Sequence, residues 1–114
     1  MERYSGIVQE GTKRAATLGF PTINIPLGNS DVSGIYAARV VMGEKEYPAA
    51  AFADPKRKIL EAHLLDFSSR AKYREKVTIT LHKKIRAAQH FQDDVALRAA
   101  IAADIAAVRK FFAA

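Results

Sequence analysis

Short apolar segments alternate with turn-forming residues along the first two-thirds of the chain. The segments are rich in Val, Ile, Tyr, Thr and Leu, and Gly, Pro, Asn and Asp separate them. They lie near residues 4–9, 34–42, 46–53, 59–66 and 76–84. Alternation is clearest in the last segment, where Val77, Ile79 and Leu81 face one way. The pattern predicts β-strands with one buried face each, and Gly43 after the second segment is typical of a hairpin turn.

The end of the chain changes to a helical period. Apolar residues spaced by four, four, three and four predict one stripe along a helix of about residues 93–112. They are Leu97, Ile101, Ile105, Val108 and Phe112. Asp93 suits the N-cap of this helix, and the stripe is interpreted as core packing rather than as a partner surface. Strands followed by one helix predict a single domain, residues 1–114, with a small barrel or curled sheet over about residues 4–86.

Composition narrows the function classes. The 114 residues include no Cys, which excludes disulfides, thiolate catalysis and cysteine-based metal sites. No apolar run approaches the roughly 18 residues that span a bilayer, and no signal peptide is recognisable, so we expect a cytoplasmic protein without membrane contact. The net charge of +6 would attract polyanions. Nucleic acid is not favoured, because Tyr36, Tyr47 and Phe52 are too scattered for a stacking surface.

A stiff segment could carry two metal ligands. No Walker lysine motif or Rossmann glycine fingerprint is present, and the histidines lack ligand spacing. Residues 18–25 read LGFPTINI, and Pro21 holds this stretch extended. Thr22 and Asn24 then share one face and could hold Mg²⁺ that also carries phosphates, while Phe20 and the isoleucines are expected to be buried on the other face. The alternative is an edge strand whose Thr and Asn satisfy backbone groups.

Two further segments are candidates for chemistry. Residues 11–17 read GTKRAAT, in which a glycine and adjacent cations could cradle phosphates, or form a solvated basic turn. Residues 60–67 read LEAHLLDF, which places Glu61 and His63 on one face of a strand. A carboxylate projecting from a strand into a cleft can accept a proton from a hydroxyl nucleophile. A surface Glu and His on an edge strand are the alternative.

Together and in this order, these segments resemble the riboflavin kinase (flavokinase) family, including the kinase half of bacterial bifunctional FAD synthetases. The run GFPTIN at residues 19–24 is similar to the family's G-[FI]-P-T-A-N, and EAHLLDF at residues 61–67 to its E-x-H-[IL]-[LM]-D-F. The resemblance extends from about Ser5 to Phe112. Shorter matches are GIV at residues 6–8 with Gly11, SGIY at residues 33–36, and IR at residues 85–86 with Phe91.

The resemblance implies a mainly β fold, a six-stranded Greek-key barrel with a C-terminal α-helix. It implies transfer of the γ-phosphate of ATP to the ribityl 5′-hydroxyl of riboflavin, giving FMN. Glu61 would be the catalytic base, Thr22 and Asn24 would bind Mg²⁺, and Arg86 and Phe91 would hold the flavin. Residues near the nucleotide would be Gly11, Thr22, Asp66 and Tyr73. The cations of Lys13 and Arg14 could in addition neutralise phosphate charge. The expected partners are riboflavin or FMN and ATP or ADP, and we expect a monomer.

Four places depart from the family pattern. Ala15 and Ala16 stand where Gly-Arg is usual, AFADPK at residues 51–56 replaces a glycine and Pro-Thr segment, Arg74 follows Tyr73 in place of glycine, and Ala88 replaces a glutamate. These changes leave open a catalytically silent flavin- or nucleotide-binding module on the same barrel. FAD synthesis would need an adenylyltransferase domain, for which 114 residues leave no room, so we expect the reaction to stop at FMN.

Overall fold

The structure is a computed structural model that describes residues 2–9, 14–67 and 75–113, without the side chains of residues 14 and 15. The described residues form six strands and two helices. The strands are β1 (Glu2–Ile7), β2 (Ile23–Pro26), β3 (Gly34–Met42), β4 (Lys45–Asp54), β5 (Ile59–Leu64) and β6 (Lys76–Arg86). The helices are α1 (Arg14–Thr17) and α2 (Asp94–Ala113). Within the described ranges, no helix is long and apolar enough to cross a membrane.

The strands form one antiparallel sheet that nearly closes into a barrel. Their order is β1-β6-β3-β4-β5-β2. Strands β3, β4 and β5 form a meander, and β6 returns to lie beside β3, which is the Greek-key arrangement. A β-bridge between Gln9 and Asn24 connects the two edges of the sheet. The backbone N–H of Gln9 donates to the backbone carbonyl oxygen of Asn24 at 2.8 Å. The predicted fold class is confirmed.

Aliphatic and alanine side chains fill the barrel. On β6, Val77, Ile79 and Leu81 are buried, as the alternation predicts. Alanines on β4 and β5 keep the interior narrow, because they bring facing strands close together; they are Ala49, Ala51, Ala53 and Ala62. The side chains between these positions point outward, so each strand has an inner face for packing and an outer face that is available for other contacts.

Helix α2 packs on the outer face of the barrel rather than in its mouth. The Asp93 carboxylate caps the helix by accepting a hydrogen bond from the Val95 amide at 2.7 Å, as predicted. Val108 is fully buried against Ala37 and Leu65. The predicted stripe therefore does pack on the core in the second half of the helix, whereas its first half borders a cleft.

Candidate active site

One row of paired residues crosses the outer face of the sheet. Asn24 on β2 pairs with Glu61 on β5, and Glu61 pairs on its other side with Phe52 on β4. Phe52 pairs with Ile35 on β3, and Ile35 pairs with Arg86 on β6. Directly paired residues of antiparallel strands point to the same face of a sheet. The row therefore aligns residues that are far apart in the sequence along one surface.

A cleft of about 870 Å³ opens over this row from Glu61 to Arg86, and Asn24 is not among its lining residues. Thr22 and Glu61 line one end, Arg86 and Phe91 line the other, and the first half of α2 forms part of the wall. Apolar side chains form the floor between the ends, namely Ile35, Ala50 and Phe52. A cleft of this size, with an apolar floor and a few polar groups, is typical of a small-molecule site.

The Glu61 side chain is held by a cation that sequence reasoning missed. Glu61 is 7 % exposed, and its Oε1 accepts a hydrogen bond from Arg57 Nη2 at 3.1 Å. A carboxylate with so little access to water needs charged or hydrogen-bonding partners to remain ionised. Arg57, in the turn between β4 and β5, supplies one. The sequence signal was an arginine four residues before the candidate base.

Asp54 orders that turn. Its Oδ1 accepts the backbone amides of Lys56 and Arg57 at 3.1 and 3.3 Å, and its Oδ2 accepts Arg57 Nε at 2.6 Å. Burial alone would raise the pKa of Asp54, but the bonds from Arg57 outweigh it, and the pKa lies below its ordinary value. Burial likewise would lower the pKa of Arg57, but the carboxylates of Asp54 and Glu61 raise it. The three groups form a charged, hydrogen-bonded chain.

Asn24 has a buried oxygen without a partner. The residue is 3 % exposed, and its Oδ1 accepts no hydrogen bond from any described residue. Leaving such a group unpaired costs about 1–3 kcal/mol, so the position suits a ligand. No group of three or more His, Asp or Glu side chains that could hold a metal occurs among the described residues. The neutral oxygens of Thr22 and Asn24 fit Mg²⁺, which takes few protein ligands and completes its shell with phosphates and water.

His63 ties the segment before β2 to β5. Its Nδ1 lies 2.7 Å from the Pro21 carbonyl oxygen, and since a carbonyl only accepts, Nδ1 carries the hydrogen. The prediction for Phe20 was wrong: it is partly exposed in the cleft wall, with its ring edge-on to His63 at a centroid distance of 5.7 Å. The two-residue period places Phe20 on the same side as Thr22 and not with the isoleucines.

Arg86 and Phe91 lie together at the far end of the cleft, with the guanidinium 5.6 Å from the ring centroid. Arg86 Nε and Nη2 donate to the two carboxylate oxygens of Asp104 on α2, each at 2.8 Å. This bidentate pair fixes the guanidinium and attaches the helix to the barrel. Asp104 is 6 % exposed and was also missed. Its signal was a carboxylate on the apolar face of the helix, four residues before Val108.

Among the other predicted nucleotide contacts, Asp66 lies within the part of the chain that the structure describes, and it does not line the cleft. Asp66 follows β5 with a φ of 59°, is exposed, and lies 3.2 Å from Arg109 on α2. Its part in nucleotide binding stays a prediction. Gly11, Lys13 and Tyr73, and the side chain of Arg14, lie outside the part of the chain that the structure describes.

Comparisons of the sequence with a family model and with curated proteins point to one family. The sequence model of riboflavin kinase, named Flavokinase, matches residues 2–112. The bifunctional riboflavin kinase/FMN adenylyltransferases of Escherichia coli K12 and Pseudomonas fluorescens are 39% and 36% identical, over 95% and 94% of this chain. The chain spans 37% of the length of each. A solved structure described as a macrolide-efflux protein from Streptococcus pneumoniae matches at a TM-score of 0.80 and 25% identity, over 94% of this chain and 38% of that one.

Proposed function

The chain belongs to the riboflavin kinase family, and we propose that it transfers the γ-phosphate of ATP to the ribityl 5′-hydroxyl of riboflavin, giving FMN and ADP. The observation that carries this proposal is the row of paired residues from Asn24 and Glu61 to Arg86. A kinase for a flavin needs a phosphate end, a base and a flavin end on one continuous surface. The row offers candidates for all three.

Glu61 is the proposed base. Phosphoryl transfer depends mainly on in-line positioning and charge neutralisation, with one group to accept the proton of the attacking hydroxyl. Glu61 lies in the cleft with an apolar floor beside it, and its bond to Arg57 favours the ionised, proton-accepting form. These features support Glu61 as the base that accepts the proton of the ribityl 5′-hydroxyl.

Thr22 and Asn24 are the proposed ligands of a divalent cation, Mg²⁺. Support comes from the unpartnered Asn24 Oδ1 and from the position of Thr22 in the wall of the cleft. A bound Mg²⁺ would neutralise charge on the β- and γ-phosphates of ATP. Thr22 is also a proposed phosphate contact. The contacts proposed on the strength of the family motifs and charge alone are Gly11, Lys13, Arg14, Asp66 and Tyr73.

Arg86 and Phe91 are the proposed flavin contacts. Phe91 offers an aromatic face, and Arg86, fixed by Asp104, offers hydrogen-bond donors of set direction. The apolar floor formed by Ile35, Ala50 and Phe52 suits the ring system, while the polar ribityl chain would extend towards Glu61.

One assay tests the proposal. The protein is incubated with riboflavin, ATP and Mg²⁺, and FMN is measured by chromatography. We expect FMN from the wild type and a loss of about 100-fold or more in kcat for Glu61→Gln. The matched control is Glu46→Gln, an exposed glutamate on β4.

A binding assay that monitors the fluorescence of riboflavin distinguishes an active kinase from a catalytically silent flavin-binding module. If Glu61→Gln loses turnover and still binds riboflavin, the substitution acts on the chemistry. If the wild type binds riboflavin and makes no FMN with any nucleotide or metal, the chain is the catalytically silent module instead. A wild-type kcat in Glu61→Gln would remove Glu61 from its proposed part.

A further inference from the structure

We propose that Arg57 is a positioning residue for the Glu61 carboxylate and that Asp54 holds Arg57 in place. The proposal rests on the proposed function, because it assigns Arg57 a part in the same phosphoryl transfer. It adds Asp54, from the AFADPK run at residues 51–56 where the chain departs from its family's pattern, and Arg57, which follows that run directly.

The guanidinium of Arg57 bridges two carboxylates. Its Nε donates to Asp54 Oδ2 at 2.6 Å, and its Nη2 donates to Glu61 Oε1 at 3.1 Å. The two bonds use different nitrogens of one planar, rigid group. Because the plane is fixed by the first bond, the direction of the second bond is fixed as well. The position of Glu61 Oε1 is therefore linked to that of Asp54.

Asp54 in turn is fixed to the backbone of the turn. Its Oδ1 accepts the amides of Lys56 and Arg57, so the turn and the arginine side chain share one anchor. The Phe52 ring lies beneath, with its centroid 5.9 Å from the Arg57 guanidinium carbon. Phe52 is also the β4 neighbour of Glu61, so the ring and the guanidinium flank the same carboxylate.

A fixed carboxylate plane matters for a base. The last torsion of a glutamate side chain is broad, and a bond from a donor that a second carboxylate also holds favours one orientation. A base must come within about 3 Å of the hydroxyl whose proton it accepts. A misplacement of about 1 Å can cost about 100-fold in rate. Arg57 thus contributes through Glu61 and needs no contact of its own with riboflavin.

A double-mutant cycle tests this link. Its members are wild type, Arg57→Gln, Glu61→Gln and the double variant, with kcat and KM for FMN formation measured for each. We expect Arg57→Gln to lower kcat by about 10- to 100-fold, with a change of less than about 3-fold in KM for riboflavin. In the Glu61→Gln background the same substitution should change kcat by less than about 2-fold, because the group through which it acts is absent.

Two further variants sharpen the cycle. Arg57→Lys keeps the positive charge and loses the fork, so we expect only part of the lost kcat to be recovered relative to Arg57→Gln. Lys58→Gln removes one charge from the same turn, from an exposed side chain that does not line the cleft, and should leave kcat unchanged. Thermal unfolding of each variant verifies folding, and if Arg57→Gln does not fold, the cycle is run with Arg57→Lys.

The proposal is overturned if Arg57→Gln has the kcat of the wild type, or if it lowers kcat by the same factor with and without Glu61. Failure of the proposed function is recognised from the wild type alone, because the wild type then makes no FMN. Both proposals are rejected in that case.

Discussion

Asn24 and Glu61 lie directly opposite each other across the antiparallel pair of β2 and β5. The Asn24 side chain presents a buried Oδ1 that has no partner among the described residues, and the Glu61 side chain presents a buried carboxylate bonded to Arg57. On the far side of Asn24, Gln9 connects the two edges of the barrel. The polar groups of the candidate site therefore meet where the barrel closes, and the contacts of folding leave one of them unpaired.

Asn24→Leu should separate stability from activity. Leucine has nearly the same shape and removes the unpartnered oxygen, so we expect the free energy of unfolding without ligands to stay equal or to rise by up to about 1 kcal/mol. If Asn24 holds the cation as proposed, the Mg²⁺ concentration for half-maximal FMN formation should rise about tenfold, equivalent to about 1.4 kcal/mol. Urea unfolding and Mg²⁺ titration measure the two effects.

The control for this prediction is Asn29→Leu, in an exposed loop. A large loss of stability in Asn24→Leu with an unchanged Mg²⁺ requirement would show that the Asn24 side chain serves the fold alone.

Gly34→Ala should destabilise the start of β3. Gly34 has a φ of 112°, and a Cβ there would lie 2.8 Å from the carbonyl oxygen of Arg86. Strain at positive φ and displacement of that carbonyl should together cost about 2–4 kcal/mol in urea unfolding. Gly28→Ala is the matched control, because Gly28 has a φ of 74° and an added Cβ would have no described atom within 4 Å. This substitution should lower the free energy of unfolding by about 1 kcal/mol. Equal losses would contradict the steric part of the argument.

Asp104→Ala should loosen α2. It leaves the Arg86 guanidinium, 27% exposed, without its bidentate partner. Because Arg86 keeps some access to water, we expect a loss of about 2 kcal/mol, less than for a fully buried pair. The double variant Arg86→Met/Asp104→Leu should regain part of this loss, since no unpaired charge remains. Urea unfolding of the wild type and the two variants and hydrogen exchange along α2 test this, and a double variant no more stable than Asp104→Ala would refute it.

Asp54→Asn should change the way in which the free energy of unfolding depends on pH in acid. The pKa of Asp54 lies below its ordinary value of 3.8 in the folded protein, so its contribution is complete above that value and is lost as the pH falls through the folded pKa. We expect the variant to be less stable than the wild type at pH 7 and the difference to shrink as the pH falls below 3.8 and through the folded pKa. The difference should stay under about 1 kcal/mol, because the Arg57 side chain is 40% exposed.

Unfolding by urea at several pH values measures this difference. Asp31→Asn, in an exposed loop, controls for the loss of one negative charge. A constant difference between wild type and Asp54→Asn from pH 7 to pH 3 would contradict the linkage.

Most of the fold could be predicted because its signals are local. Alternation identified β6, and the change of period identified α2. The end of β5 was placed too late, at residue 66, because the pattern could not register the positive φ of Asp66. The short helix α1 was not predicted, since four residues carry too little periodicity.

The candidate site was less accessible to pattern reasoning. Thr22 and Glu61 were named because their motifs resemble those of a family. The residues alone were also compatible with an edge strand that carries Thr22 and with a surface position for Glu61. Arg57 was missed because its direction depends on Asp54 and on the turn between two strands. Asp104 was missed because the helix was predicted from its apolar positions, and the partner of Asp104, Arg86, lies 18 residues away in the sequence.

The outward position of the cleft has a consequence for protein engineering. Alternate positions of β4 and β5 face opposite sides of the sheet. Ala51 and Ala62 pack inside the barrel, whereas Phe52 and Glu61 border the cleft. A library that randomises positions 35 and 52 would therefore reshape the floor of the cleft and leave the interior of the barrel intact. Ligand preference on this scaffold can change independently of the barrel that supports it.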